Sequence, residues 1–445
     1  MNMKLQIILT SFLSSVLLTA GAQKKWSLQE CIDYAAQNNI SLKKSSLQGQ
    51  MSKEDLLSSQ AQLLPSLSFS TNQNVNYRPW PNAGQATVSN GYVQSGVEKV
   101  YYNGSYSVAG NWTVWNGNRN VNQVKLNHLA LEQNVYDSIT TARNIEEQIA
   151  QYYVQIAYTE ENVAVQKAAL EAAIVNENRG KEMLEVGKMS KSDLMQLTAQ
   201  RAQDEYNVVQ AESDVRNYKR QLKQLLQITD TQEFDIAGFD ASDAMATAEI
   251  PALQSVYENA LRNRPEFKSL AIQLESSEIS GKIAKAQGLP TVGLNVSAGT
   301  NTTSMGNENW GHQAKQNFSL GAGMSINVPI IDQRQRRTAV NKAELSRQQT
   351  LLDLEEKRIA LYSTLENYWI QAENKQVQYK AAKASTESAE ASYDLLSEQF
   401  RLGLKNIVEL QEGKNRLLSA RQSELQSKYM ALLNIKMLEF YQRGE

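Results

Sequence analysis

The chain has 445 residues but only one cysteine, Cys31, and two histidines, His128 and His312. A single cysteine allows no intrachain disulfide framework and no cysteine-based zinc cage. The histidines stand 184 residues apart, which argues against a histidine metal site and against Ser-His-Asp chemistry. No catalytic, cofactor or metal-binding residue is therefore assigned. Seven prolines leave room for long, unbroken helices. Aromatics at 7% are sparse for large packed cores. Charge of one sign is also missing, since 45 Lys and Arg oppose 47 Asp and Glu for a net −2. That removes a whole-chain electrostatic case for binding nucleic acid or an anionic membrane surface. Beyond residue 22 no run of 18 apolar residues occurs, so no transmembrane helix is expected.

What is present begins with an export signal. Lys4, an apolar run over 7–18 softened by serines, and the small residues Ala20-Gly21-Ala22 predict a signal peptide over 1–22, with Gln23 as mature start. No cysteine sits at that junction, so no lipid anchor is expected there. An exported chain without a transmembrane helix either stays in water or crosses a membrane by β-strands.

The mature sequence is one unit written twice. Residues 28–43 (LQECIDYAAQNNISLK) align with 253–268 (LQSVYENALRNRPEFK) at an offset of 225, with five identities in sixteen positions. The same offset aligns AQLLP at 61–65 with AQGLP at 286–290. Further on the offset is 216: Asn116 matches Asp332, Tyr152 matches Tyr368, Gly187 matches Gly403, and Leu194 matches Leu410. The change falls between Pro65 and Asn116 and reads as a longer loop in the first repeat. The expected organisation is a first repeat over 23–227, an acidic, irregular linker over 228–252, and a second repeat over 253–445.

Each repeat opens with a short helix and a second helix that ends at Pro65 or Pro290. The period then becomes two. Leu67, Phe69, Thr71, Gln73, Val75 and Tyr77 alternate with serines and asparagines, and Tyr102 to Val114 alternate likewise. In the second repeat Val292, Leu294, Val296 and Ala298, then Phe318, Leu320, Ala322, Met324, Ile326 and Val328, do the same. Hairpins are expected at about 66–115 and 291–328. Four strands that are apolar on one side and small-polar on the other fit a transmembrane barrel, although a half-buried hairpin in water also alternates. Long helices are expected at about 118–184 and 334–400. Residues 121, 124, 128, 131, 135, 138, 142, 145, 149, 152 and 156 give the first a 3-4 spaced, mainly apolar stripe. Each spans roughly 100 Å at 1.5 Å per residue. Tips at about 185–191 and 401–406 and return helices complete the plan.

The order Leu64-Pro65, Leu289-Pro290, then Val328-Pro329-Ile330-Ile331-Asp332-Gln333-Arg334, and the turn Gln399-Phe400-Arg401-Leu402-Gly403 through Val408-Glu409-Leu410 resemble the TolC-type outer membrane efflux protein family. The family's strand exit usually reads P-apolar-F-D-G-G-R. Here Ile331, Gln333 and Arg334 depart from it, and the first repeat has Trp115-Asn116-Gly117-Asn118-Arg119. The resemblance implies a mainly α protein with transmembrane β. It implies a homotrimer whose 12-stranded barrel lies in outer membrane lipid and continues as an α-helical tunnel through the periplasm. It further implies a passive exit duct for drugs, small molecules or peptides, in a tripartite efflux or type I secretion system, with no enzyme activity and no cofactor. The duct would meet a periplasmic adaptor and, indirectly, an inner-membrane transporter. The strand count agrees independently. Four strands cannot close a bacterial barrel, which starts at eight, and lipid does not tolerate open edges. Three chains give twelve strands.

Glu387, Glu390 and Asp394 fall at i, i+3 and i+7, one helix face. That spacing fits an ordinary solvated face; the resemblance offers a ring of acids constricting the pore. Val186, Gly187 and Lys188, with Arg401, Leu402, Gly403 and Leu404, are the expected adaptor-docking tips, their glycines serving turns that need positive φ. His128 is expected to pack or snorkel on the apolar stripe, His312 to lie exposed in a loop, and Cys31 to be a buried small apolar residue. The alternative function is an exported coiled-coil structural or adaptor protein of the periplasm whose hairpins pack in water.

Overall fold

The structure, a computed structural model, describes residues 25–80, 87–89, 92–94, 99–229, 234–239, 241–305 and 308–443. The expected signal peptide lies outside them, as do Asp230, Glu233 and Asp240 of the linker. In chain order the elements are β1 (Lys25–Trp26), α1 (Leu28–Asn38), α2 (Ile40–Ala61), β2 (Ser66–Tyr77), β3 (Thr87–Ser89), β4 (Tyr92–Gln94), β5 (Val100–Trp115), α3 (Arg119–Glu185) and α4 (Lys191–Leu225). The second half continues with β6 (Asp235–Ile236), α5 (Asp243–Ala246), α6 (Leu253–Asn263), α7 (Pro265–Ala286), β7 (Thr291–Thr303), α8 (Trp310–Gln316), β8 (Ser319–Asn327), α9 (Gln335–Arg401) and α10 (Ile407–Gln442). The chain divides into two compact units. Of the described residues, the first holds those of 25–46, 137–267 and 356–443, and the second those of 47–136 and 268–355.

In the first unit the opening helices of the two repeats bury matching positions and end alike, but only α1 has a side-chain cap. Ser27 caps α1 with a capping box: its hydroxyl accepts from Glu30 N, and the Glu30 carboxylate accepts from Ser27 N at 2.8 Å. Helix α1 then buries Cys31 and Ala35, and α6 buries Val256 and Ala260 at the matching positions. Both helices end where Asn39 N and Arg264 N return to the carbonyls of Ala35 and Ala260. Pro265 opens α7 at its first position, where its missing N–H is not needed. Cys31 and Ala35 join Ile145, Ile149, Tyr153 and Ile156 of α3 with Leu222 of α4, and Leu226 just after it, in one core. Each fully buried aliphatic side chain there contributes about 1.5–3 kcal/mol.

The segment between the repeats is built into that core. Strand β6 pairs in parallel with β1, Lys25 opposite Asp235 and Trp26 opposite Ile236. Tyr153 Oη donates to Ala237 O at 2.7 Å, and Phe239 packs on Tyr429. Burial raises the Tyr153 hydroxyl to about 12. The expected irregular acidic linker therefore holds short ordered elements, and two of its acids, Asp235 and Asp243, are paired. Asp235 meets Lys219 at 2.6 Å, and Asp243 meets Lys383 at 2.6 Å and Lys428 at 3.0 Å.

In the second unit β2, β5, β7 and β8 form one antiparallel sheet in that order. The expectation of two hairpins is met at β2–β5 and β7–β8, and the β5–β7 pairing fuses them. Strands β3 and β4 form a separate small ribbon, and α8 interrupts the loop between β7 and β8. Both were expected as plain loop. A polar pair ties each second helix to its long helix: Asn134 donates to Ser52 at 2.7 Å, and Ser277 meets Thr350 at 3.4 Å. Helices α3 and α9 are 67 residues each, in agreement with the expected unbroken helices.

Candidate functional site

The two tips in the first unit are built identically from backbone geometry. Helix α3 ends with Gly187 at φ +71, and α9 with Gly403 at φ +75. Lys188 N donates to Met183 O and Gly187 N to Leu184 O; Leu404 N donates to Gln399 O and Gly403 N to Phe400 O. These are Schellman closures, which satisfy the last carbonyls of a helix and demand a left-handed residue. Three residues later Ser190 and Asn406 cap the return helices, accepting from Asp193 N and Glu409 N. Beneath the turns Leu197, Phe400, Ile407 and Leu410 are buried together, with Met183, Met189 and Tyr393 against them. Above them Val186, Leu402 and Leu404 are exposed. The candidate docking residues thus include apolar side chains held out by a rigid turn.

The acidic candidates occupy one exposed face of α9. Glu390 is paired, its carboxylate 2.6 Å from Arg421 Nη2 on α10. Glu387 adds to the field that raises Lys383, a shift that comes first from the hydrogen bond of Lys383 to Asp243. The sequence reading missed two acids nearer the tip. Glu409 closes a capping box with Asn406 and meets Lys405 at 2.6 Å, and Glu412 lies one turn further. Both line a groove of about 850 Å³ between α9 and α10, with Ser385, Ala389, Gly413 and Arg416. The Asn-x-x-Glu spacing before an apolar run was the available signal. Also missed was a fully buried ion pair between Asp204 of α4 and Lys414 of α10. Gln200 Nε2 donates to the same carboxylate at 3.0 Å. No sequence signal marks that pair, because its partners are 210 residues apart and the repeat does not duplicate it.

The histidines read differently. His128 is exposed in the chain, because α3 turns Leu129 toward Ile272 and Ile279 of α7 instead. Of the two expected placements, packed or snorkelling, the chain does not show the packed one. His312 lies on α8 and half exposed, its Nδ1 2.8 Å from Glu308. Among the described residues no cluster of three or more His, Cys, Asp or Glu could hold a metal.

In the second unit the sheet register sorts side chains by face. Phe69 stands opposite Val108, Val108 opposite Ala298, and Ala298 opposite Leu320. One residue along, Ser70 pairs with Ser107, Ser107 with Gly299, and Gly299 with Ser319. The polar face is laced by its own hydroxyls, Ser70 to Ser107 at 2.8 Å. The apolar face is uncovered, with Leu67, Phe69, Leu320 and Met324 each exposed by 65% or more. A contiguous exposed apolar face of that kind marks an interaction surface, with protein or with membrane. Among the described residues no helix is long and apolar enough to cross a membrane.

Residues 256–439 match the family model described as "Outer membrane efflux protein". The match lies within the second repeat and covers less than half of the chain. Among solved structures, CusC aligns with TM-score 0.80 at 14% identity, over 94% of this chain and 92% of that chain. The CmeC outer membrane channel of Campylobacter jejuni aligns with TM-score 0.76 at 18% identity, over 93% and 85%. The outer membrane protein VceC of Vibrio cholerae aligns with TM-score 0.75 at 14% identity, over 94% and 96%. At these identities the likeness is one of fold: the chain shares the fold of these three proteins. No curated protein matches the sequence.

Proposed function

We propose that this chain is one protomer of a trimeric exit duct that crosses the outer membrane as a barrel and extends into the periplasm. The observation that carries the reading is the sheet. It has four strands, one apolar face without cover, one small-polar face, and two outer strands, β2 and β8, that run in opposite directions. Such a sheet is an arc. Its β8 edge can meet the β2 edge of another copy in antiparallel pairing, and a ring removes both edges from lipid. Two copies would give eight strands, whose interior side chains fill the lumen. Three give twelve and an open bore lined by Ser, Asn, Gly and Thr. The alternative, a periplasmic protein with hairpins in water, leaves Leu67, Phe69 and Leu320 facing solvent with nothing to offset them.

Proteins of this family are outer membrane channels of tripartite efflux systems. The tips then supply the adaptor contact through Val186, Gly187, Lys188, Arg401, Leu402, Gly403 and Leu404. Glu387 and Asp394, more than the paired Glu390, supply acidic charge beside the bore. A water-filled lumen selects little, so the cargo is chosen by the partner transporter.

The test is a face-resolved lysine substitution. Leu320→Lys and Val108→Lys point toward lipid and should impair assembly in the outer membrane, at about 2–4 kcal/mol for a midplane lysine. Ser319→Lys and Ser107→Lys point into the bore and should assemble normally. Equal tolerance on both faces, read as the yield of heat-modifiable oligomer, would remove the barrel.

A further inference from the structure

The loop between β7 and β8 folds back onto the apolar face of the sheet. Tyr106 and Thr300 stand opposite each other two residues beyond the Val108–Ala298 pair, so their side chains share that face. Helix α8 is fastened there. Thr300 Oγ1 donates to Ala314 O at 2.7 Å. Trp310 Nε1 donates to Tyr106 Oη at 3.2 Å, and the two rings meet edge to face at 5.8 Å. Buried Gln313 adds three bonds. Its Oε1 accepts from Thr303 N at 2.7 Å, and its Nε2 donates to Thr303 O at 2.9 Å and to Glu308 O at 2.7 Å. A helix of seven residues does not hold itself together in water, so these contacts keep α8 in place.

The apolar face ends where α8 begins. The row Phe69, Val108, Ala298 and Leu320 is followed by Thr71, Tyr106 and Thr300, and then by Gln73 and Thr302. These polar groups are linked. Gln73 Nε2 donates to Thr71 Oγ1 at 2.9 Å, and the Tyr106 hydroxyl meets Gln73 and Thr302 as well as Trp310. Such groups on an outer wall are costly in hydrocarbon and are tolerated among headgroups. In the other direction exposed apolar residues continue past the strand to Ile330, which is 91% exposed. The ten residue steps from Leu320 to Ile330 reach at most roughly 23 Å across a membrane, at about 3.3 Å rise and 45° tilt. A lipid-facing band is about 25 Å tall, so the stretch below the Leu320 row accounts for it. Helix α8 then stands at the rim, at the strand ends opposite those that lead into α3 and α9. There it presents Trp310, 60% exposed, beside exposed His312 and Lys315.

We propose that α8 is a membrane-surface anchor that lies among phospholipid headgroups on the outside of the barrel wall, with the Trp310 indole in the glycerol–carbonyl layer, and so sets the depth at which the barrel sits. An indole suits that layer because it joins an apolar body to a single N–H donor. Glu308 holds His312 Nδ1 at 2.8 Å and offsets the charge of Lys315. The occupant is therefore the phospholipid interface itself, and no anionic headgroup is needed.

The proposal rests on the barrel reading and adds a depth marker to it, and tryptophan quenching separates the two. The full chain is reconstituted in phosphatidylcholine vesicles whose acyl chains carry bromine either near the carbonyl or near the chain end. The Trp310 signal is the difference between wild type and Trp310→Phe, or Trp310→Tyr if the phenylalanine variant does not assemble. It should be quenched about twofold more by the shallow bromines than by the deep ones, as for a belt residue. Gln313→Ala frees α8 from Thr303 and should lower that shallow quenching. Trp112 and Trp115 of β5 remain in the Trp310 variant and report insertion of the sheet on their own. A Trp310 signal that aqueous iodide quenches and bromolipid does not, in a protein whose remaining tryptophans are still quenched by bromolipid, overturns the anchor and leaves the barrel. Stronger quenching by the deep bromines also overturns it, by placing α8 in hydrocarbon. Full shallow quenching in Gln313→Ala overturns the fastening as what holds Trp310. Tryptophans that no bromolipid reaches, in wild type and variant alike, overturn both readings.

Discussion

Gly187 and Gly403 show what a single residue decides here. Neither is short of space, since a Cβ added at either would meet nothing within 4 Å. Their φ values alone exclude other residues at low cost, because the left-handed region costs an L-residue about 1–2 kcal/mol. Gly187→Ala and Gly403→Ala should each destabilise the helical hairpins by about 1 kcal/mol, and Asn at the same positions by less. Thermal unfolding in detergent measures this, and an alanine variant as stable as wild type would mean that the turn has another closure. These glycines were legible in the sequence, because a glycine ending a long helical period is a local signal. The pair Asp204–Lys414 was not, because neither residue carries a local mark of burial.

At the scale of elements, the short α5 shows how the inter-repeat segment is fastened. Asp243 is held well below the usual carboxylate range, first by its hydrogen bond with Lys383, then by Tyr379 and Lys428. It joins α5 to α9 and α10 at once. A carboxyl whose folded pKa is depressed stabilises the fold above its unfolded value, near 3.9, and loses that contribution as pH falls toward the folded value. Asp243→Asn should therefore lower the melting temperature at pH 7 and pH 5 alike, and the gap to wild type should narrow below about pH 4. A gap that stays constant down to pH 2 would assign the loss to packing rather than charge. The sequence marked this segment only as acidic and irregular. Its order depends on Lys219 of the preceding helix and on Lys383 and Lys428 from helices far along the chain.

For the whole molecule, the tips and the bore can be tested apart. Leu402→Glu with Leu404→Glu adds charge to an exposed turn without touching the core beneath it, which is built from Phe400, Ile407 and Leu410. Efflux in cells should be lost while single-channel conductance in planar bilayers stays near wild type, because docking fails and the duct does not. Glu387→Ala with Asp394→Ala should lower cation preference in the same bilayers more than Glu390→Ala, since Arg421 already offsets Glu390. Normal efflux with the double glutamate tip would move the adaptor contact elsewhere.

Periodicity and repetition are local or self-referential, and so the doubled plan, the four alternating strands, the long helices and the glycine turns were legible before any folding. A strand's two faces follow from its alternation of side chains, and a helix end follows from its own backbone closure. Only the folded chain showed that the two hairpins join, because β5 meets β7 across nearly two hundred residues and hydrogen bonds carry no sequence code. It also decided that α3 turns Leu129 and not His128 inward, since several stripes on a 67-residue helix are apolar enough to bury and only the neighbouring helix chooses among them.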